Sequence, residues 1–290
     1  MPRKARLDAE LVRRGLARSR AHASELVAAG RVSVRGVLAP KPATTIGIDV
    51  AVVVAEDADD PGWVSRGARK LVGAVERFEP DGLEIAGRRC LDAGASTGGF
   101  TDVLLRRDAR EVVAVDVGYG QLDWTLRTDE RVRVYERTNV RALTPEDIDG
   151  PVDLVVADLS FISLKLVLPA LLACARPGAD LLPMVKPQFE AGKEAVGSGG
   201  VVRDPEYRVA AVSSVAELAA EHGFGVRAVV ASPLSGPSGN VEYFAWLRED
   251  ASRDDAVRAK LVRDAVREGA RQAVKPGAAA GCEQQRRSDA

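Results

Sequence analysis

The sequence predicts an α/β chain: a mostly parallel sheet of seven strands preceded by a small α+β head. Three observations carry that prediction. Apolar runs alternate with helix-period stretches from about residue 66 to residue 247, a pattern that implies parallel strands covered on both faces. A loop of small residues, Leu91-Asp92-Ala93-Gly94-Ala95-Ser96-Thr97-Gly98-Gly99-Phe100, follows one apolar run and leads into a helical pattern. Charge is also split along the chain. Residues 1–45 hold ten basic side chains against three acidic ones, so a total of −1 conceals a head of +7 and a body of −8. A basic head on an acidic body suggests that the head meets a polyanion.

The head comes first. Leu7, Leu11 and Leu16, then Ala21, Leu26 and Val27, recur at helical spacing, with Gly15 between two short helices and Ser19 placed to cap the second. That helix ends at Gly30. Arg31-Val32-Ser33-Val34-Arg35-Gly36 alternates and turns as a hairpin strand does, and Lys41-Pro42 precedes further strands from Ile46 to Val54. Arg6, Arg14, Arg18 and Arg20 gather on the helical side. The acidic, breaker-rich run 56–62 reads as a linker, and Trp63 after it as a packing anchor rather than a base-stacking platform.

In the body, strands are expected near 89–93, 111–116, 132–136, 152–158, 179–185, 225–231 and 241–247. Helices are expected near 66–78, 98–107, 120–127, 163–175 and 206–222. Ligands of such sheets bind beyond the carboxyl ends of the strands, where Asp92, Asp116 and Asp158 all fall. No helical pattern joins the last two strands, only Ser232-Pro233-Leu234-Ser235-Gly236-Pro237-Ser238-Gly239, so an antiparallel, hairpin-like edge is expected. Beyond Arg248 little is left to bury. Residues 254–274 suit a charged amphipathic helix, and 275–290 have the small, polar composition of a disordered tail.

Composition bounds the function. The 290 residues, 46% hydrophobic, suffice for one large domain and one small module. No run approaches the roughly 18 uninterrupted apolar residues of a membrane span, and the first 20 residues are basic without an apolar core, so a cytoplasmic protein without membrane attachment is expected. Cys90, Cys174 and Cys282 fit no zinc spacing, and no metal is expected; Cys90 and Cys174 read as inert core residues.

The glycine-rich loop reads as the floor of a cofactor site, because small residues let a ligand lie against backbone N–H groups. A dinucleotide fingerprint would read G-x-G-x-x-G. Here Gly94, Gly98 and Gly99 are spaced otherwise, and Asp92 would repel a pyrophosphate. A sulfonium cofactor with an ammonium group, S-adenosylmethionine, tolerates that acid. The next strand ends in Asp116, 24 residues on, suited to the ribose hydroxyls. Asp92 and Gly94, Ala95, Ser96, Thr97, Gly98, Gly99 and Phe100 would line the methionine part, with Asp116 and Val117 at the ribose. Asn139 could meet the adenine edge or simply cap its own loop.

Four further residues end or begin elements at the same rim: Lys70, Asp158, Lys186 and Glu242. Singly each reads as a surface charge. Together, beside a methyl donor, they suggest a catalytic constellation. This Lys-Asp-Lys-Glu set with the loop 92–100 resembles the FtsJ-type ribose 2′-O-methyltransferases. The head, with Arg6-Leu7-Asp8, Leu11, Gly15, Ser19-Arg20, Ala23, Leu26, Gly30-Arg31-Val32-Ser33-Val34 and Lys41-Pro42, resembles the S4 RNA-binding domain. Joined in one chain with Trp63-Val64-Ser65-Arg66-Gly67, Asp116-Val117-Gly118-Tyr119-Gly120-Gln121, Asp158-Leu159-Ser160-Phe161-Ile162-Ser163, Val185-Lys186-Pro187-Gln188-Phe189-Glu190 and Gly236-Pro237-Ser238-Gly239-Asn240-Val241-Glu242, they are similar to the TlyA family from about Arg6 to Arg248. Two departures stand out: Arg69 where the family commonly has His, and Pro61-Gly62 before Trp63 instead of a basic residue.

The resemblance implies a Rossmann-like class I S-adenosylmethionine-dependent methyltransferase domain with a mostly parallel seven-stranded sheet and an N-terminal α+β S4 domain. The expected boundaries are 1–60 for the S4 module, 61–66 for the linker, 67–250 for the methyltransferase domain and 251–290 for the tail. It implies 2′-O-methylation of cytidine in 16S and 23S ribosomal RNA, with ribosomal subunits as partners, Arg6, Arg14, Arg18, Ser19, Arg20 and Lys41 at the RNA, and a monomer favoured. Lys186 is expected to accept or stabilise the departing proton, its ammonium pKa lowered by Lys70 and desolvation. Asp158 would orient Lys186 and hold the sulfonium end, and Lys70 and Glu242 would orient the ribose. The glycine-rich stretch 187–204 reads as a mobile flap. A non-catalytic ribosome-assembly factor would have lost a member of the four. A membrane-active haemolysin, a label used in this family, would need an apolar helix. A DNA or protein methyltransferase would carry Asn-Pro-Pro-Tyr where Asp158-Leu159-Ser160-Phe161 stands.

Overall fold

The computed structural model describes residues 4–17, 19–55 and 61–273. The expected linker acids 56–60, Arg18, Cys282 and the tail 274–290 lie outside them. The chain divides into two compact units, residues 1–65 and 66–290.

The first unit contains β1 (Lys4–Arg6), α1 (Leu7–Arg13), α2 (Arg20–Ala28), β2 (Val32–Val34), β3 (Val37–Leu38), β4 (Thr45–Gly47) and β5 (Val52–Val54). Leu7, Leu11, Leu26 and Val27 enter its core as the helical spacing predicts, whereas Leu16 and Ala21 are exposed and Ala17 and Ala23 are buried instead. The Ser19 hydroxyl accepts from the His22 N–H at 3.1 Å and so caps α2. Arg35 and Gly36 both have positive φ, 53° and 80°, the conformation of a two-residue hairpin turn between β2 and β3. β1, which pairs antiparallel with β4, was not expected: three residues with exposed Lys4 carry no strand periodicity.

The second unit is a seven-stranded sheet in the order β11-β12-β10-β9-β6-β7-β8. Its elements are α3 (Ala68–Phe78), β6 (Arg89–Ala93), α4 (Gly99–Arg106), β7 (Glu111–Val115), α5 (Trp124–Arg127), β8 (Val132–Tyr135), β9 (Val152–Ala157), α6 (Leu168–Ala173), β10 (Ala175–Val185), α7 (Pro187–Glu190), α8 (Pro205–Glu221), β11 (Gly225–Ala231), β12 (Tyr243–Arg248) and α9 (Asp255–Ala273). β8, β7, β6, β9 and β10 pair in parallel, and β12 runs antiparallel between β10 and β11, as the helix-free connection predicts. Trp246, Tyr243 and Phe244 of β12 are fully buried, each worth about 2–3 kcal/mol of transfer free energy. Asp180, midway along β10, is equally buried, and there Trp246 Nε1, Arg88 and Arg248 supply its donors.

Three expectations change. The helix expected over 163–175 is a single 3-10 turn, Leu164–Leu166, followed by α6, because Pro169 suits only a helix start and β10 begins already at Ala175. The helix expected over 120–127 shrinks to α5, because the preceding residues wrap around Asp116 instead. The C-terminal helix does have something to bury: Val262, Ala265 and Val266 of α9 enter the core, and Gly269 lies so close to Val241 that a Cβ would sit 2.7 Å from its Cγ1. Cys90 and Cys174 are buried thiols, and burial pushes them up to about 12 and about 11, so both stay protonated. Among the described residues no helix is long and apolar enough to cross a membrane, and no His, Cys, Asp and Glu cluster could hold a metal.

Candidate active site

The site is built at the carboxyl ends of β6, β7, β9 and β10. Asp92 is the last residue but one of β6, and its side chain is wholly buried. The Thr101 hydroxyl donates to its Oδ2 at 2.7 Å, while Oδ1 is buried with no hydrogen-bond partner. Desolvation raises the carboxyl to about 7, and the charges of Asp158 and Asp116 push the same way. An orphaned buried acceptor here suits a cationic ligand group.

The loop after Asp92 needs its glycines. Gly94 has φ +88°, and a Cβ there would stand 2.7 Å from the Asp158 carbonyl oxygen. Gly98, at φ +97°, abuts the Leu126 and Leu122 side chains at the start of α4. Gly94 N donates to Val115 O at 2.8 Å, which ties the loop to the end of β7. Asp116 then receives two backbone donors, Ser96 N at 2.8 Å and Gly118 N at 2.6 Å. Asp116 opens onto a cavity walled by Ala95, Ser96, Gln121, Tyr135 and Glu136. The carboxylate at its edge offers acceptors for the hydroxyls of a ligand.

Other expected cofactor residues play different parts. Phe100 is a core residue packed 5.9 Å from Phe244, Gly99 is buried, and Val117 and Thr97 are exposed. The Asn139 side chain accepts from Arg141 N and caps a 3-10 turn, which is the loop-capping alternative. Tyr135, Glu136, Gln121 and Thr101 were missed. Tyr135 and Glu136 had a signal, since they stand at the end of the third strand, one step along the rim from Asp116.

The four rim residues come together as two ion pairs. Lys186 Nζ lies 2.6 Å from Asp158 Oδ1 and donates to Ser160 Oγ at 2.9 Å. Lys70 Nζ lies 2.5 Å from Glu242 Oε2. Sheet register explains the meeting: Val185 pairs with Tyr243 and Pro183 with Ala157, so Lys186, Glu242 and Asp158 leave neighbouring strands side by side. α3 brings Lys70 in because Gly73 allows close approach, a Cβ there standing 2.5 Å from Pro233. The immediate partner of Lys186 is thus a carboxylate rather than Lys70. Gly236 likewise leaves room for Glu242, whose Oε1 has no hydrogen-bond partner.

The glycine-rich stretch 187–204 is anchored at both ends. Glu190 accepts from Ser163 Oγ at 2.5 Å and Leu164 N at 2.7 Å. Buried Val202 is held by Asn240 Oδ1 at its N–H and by Arg208 Nε at its carbonyl. Phe161 is the largest surprise, 92% exposed at φ +63° with its ring 5.4 Å from that of Phe189. Nothing in the sequence marks a Phe for the left-handed region.

In the first unit, Arg6 and Arg20 both pair with buried Asp8, at 2.8 and 2.9 Å, and keep exposed side chains. Arg14 is committed inward: it donates to Val50 O and Ile48 O, both at 2.7 Å, and pairs with Glu10. Ser19 is a helix cap, and Lys41 is exposed.

Comparison with known proteins agrees with this layout. The FtsJ-like methyltransferase model matches residues 63–249 and the S4 domain model residues 5–49. The chain is 62% identical over 266 residues, 92% of its length and 97% of the other, to the 16S/23S rRNA (cytidine-2'-O)-methyltransferase TlyA of Mycobacterium tuberculosis. It is 34% identical to Hemolysin A of Brachyspira hyodysenteriae, over 83% of this chain and 98% of that one. A solved structure from Streptococcus thermophilus, carrying a hemolysin name, aligns with TM-score 0.73 and 36% identity over 94% of this chain and 97% of that chain. A methyltransferase sheet with paired lysines and acids at its rim, an S4 module before it and near full-length identity of this order have one meaning: the chain belongs to the TlyA family of FtsJ-like methyltransferases.

Proposed function

We propose that this protein methylates the 2′-hydroxyl of cytidine ribose in 16S and 23S ribosomal RNA, with S-adenosylmethionine as donor, in the cytoplasm. The observation that carries the reading is the pair of buried lysine–carboxylate contacts, Lys186 with Asp158 and Lys70 with Glu242, beside the acid-bearing glycine loop. The cofactor supplies an electrophilic methyl group on a sulfonium. Asp92 and the turn from Gly94 to Gly98 receive its amino-acid end, and Asp116 its ribose.

A ribose hydroxyl is a poor nucleophile at neutral pH, because its proton is held far too tightly. Lys186 supports the negative charge that grows on the 2′-oxygen as its proton departs, and Asp158 orients the ammonium. Lys70 and Glu242 position the ribose, with two aligned groups worth more than two free ones because their entropy is already spent in folding. Phe161 presents a ring face at the mouth, where a base can stack. The exposed Arg6, Arg20 and Lys41 of the S4 module contact RNA phosphates.

The test is incubation of each purified ribosomal subunit with labelled S-adenosylmethionine, followed by mapping of the modified ribose. Lys186→Ala is expected to abolish labelling while cofactor affinity stays within about threefold, since the interaction removed belongs to the transition state. Full turnover by that variant, or no label in either subunit with the wild-type protein, would refute the reading.

A further inference from the structure

Ser160 is exposed at the rim, yet the chain around it is fixed on both sides. Before it, Asp158 N donates to Ala93 O at 3.1 Å, and Gly94 lies against the Asp158 carbonyl. After it, Phe161 bends the chain at φ +63°, and Ser163 and Leu164 are both held by Glu190. A left-handed Phe persists only where its surroundings impose it, and such strain clusters at functional sites. Here the outcome of that bend is that the Ser160 hydroxyl accepts from Lys186 Nζ at 2.9 Å.

An ammonium has three N–H donors in tetrahedral array. A single carboxylate contact would leave it free to rotate about that contact. Asp158 Oδ1, 2.6 Å away, is an ion-pair contact outside hydrogen-bond geometry, so the directional acceptor for the ammonium is Ser160 Oγ at 2.9 Å. The Phe189 ring, 5.9 Å away at its centroid, flanks the ammonium without competing as a strong acceptor. We propose that Ser160 is a positioning residue for methyl transfer: beside the charge of Asp158, its hydrogen bond holds the Lys186 ammonium in the orientation that meets the incoming ribose oxygen. The inference rests on Lys186 meeting that oxygen. Its chemistry is orientation alone, and no proton or bond passes through Ser160.

Single-turnover methylation of ribosomal subunits by the full chain, with Ser160→Ala and Ser160→Thr beside wild type, tests it. Ser160→Ala is expected to lower kcat at least about tenfold, the lower end for a misaligned proton-handling group, with KM for RNA and cofactor Kd within about twofold. Ser160→Thr, which keeps the hydroxyl, restores turnover. Unchanged kcat in Ser160→Ala, or a loss confined to KM, overturns the proposal. A second readout needs no activity: the 1H–15N signal of the Lys186 ammonium, assigned with Lys186→Arg. It should persist in wild type and Ser160→Thr and broaden by faster exchange in Ser160→Ala; an identical signal in all three overturns the positioning role. Failure of wild type to methylate either subunit would instead strike the proposed function, and the ammonium signal would still decide on Ser160.

Discussion

Lys70 and Glu242 form a buried ion pair of 2.5 Å between side chains 172 positions apart in sequence, one on α3 and one at the threshold of β12. Removing one partner strands a charge. Glu242→Ala is therefore expected to cost about 3 kcal/mol of stability, measured from urea unfolding, and to abolish methylation. The double variant Lys70→Met with Glu242→Leu should regain most of that stability and none of the activity. Recovery of activity in the double variant would mean that the pair serves the fold alone.

Asp92 predicts a pH dependence with a definite sign. Burial raises its carboxyl from 3.8 to about 7, so between those values the folded chain holds a proton that the unfolded chain has lost. Its contribution to stability is fully present below about pH 4 and is lost as pH rises to about 7, by at most about 4 kcal/mol. Asp92→Asn, compared with wild type across this range, should be relatively more stable at pH 8 than at pH 4. Cofactor affinity should show the reverse trend: wild type tightens as Asp92 ionises, and Asp92→Asn is weaker and flat with pH. Calorimetric titration at several pH values checks both.

Arginines of the S4 module are expected to divide by role. Arg14→Ala loses bonds to Ile48 O and Val50 O and leaves buried Glu10 with Arg13 as its remaining ion-pair partner, at a cost of about 2 kcal/mol. Hydrogen exchange of amides in the first unit reports that loss. Arg6→Ala and Arg20→Ala remove exposed heads and should each lower the salt slope of RNA binding by about 0.9 or less. A stable Arg14→Ala with a reduced salt slope would contradict the division.

Phe161 makes a further prediction. Its ring is almost wholly exposed, and base stacking on such a face is worth about 1–3 kcal/mol. Phe161→Ala should lower kcat/KM for ribosomal subunits about tenfold or more, while Phe161→Trp should retain activity. Equal rates for all three would show that the ring faces solvent during turnover.

By itself the sequence determined the two-module order, the parallel sheet, the acids at successive strand ends and the four rim residues. These are legible because hydrophobic period, glycine clusters and strand-end charges are local properties. Tertiary structure decided how the four pair: Lys186 with Asp158 and Lys70 with Glu242 follow from the register of β9, β10 and β12 and from the close approach at Gly73. It also decided that Arg14 turns inward, that α9 enters the core, and that Phe161 and Ser160 reach the rim through a strained turn. No local pattern encodes these outcomes, because each depends on what packs against the residue from a distant part of the chain.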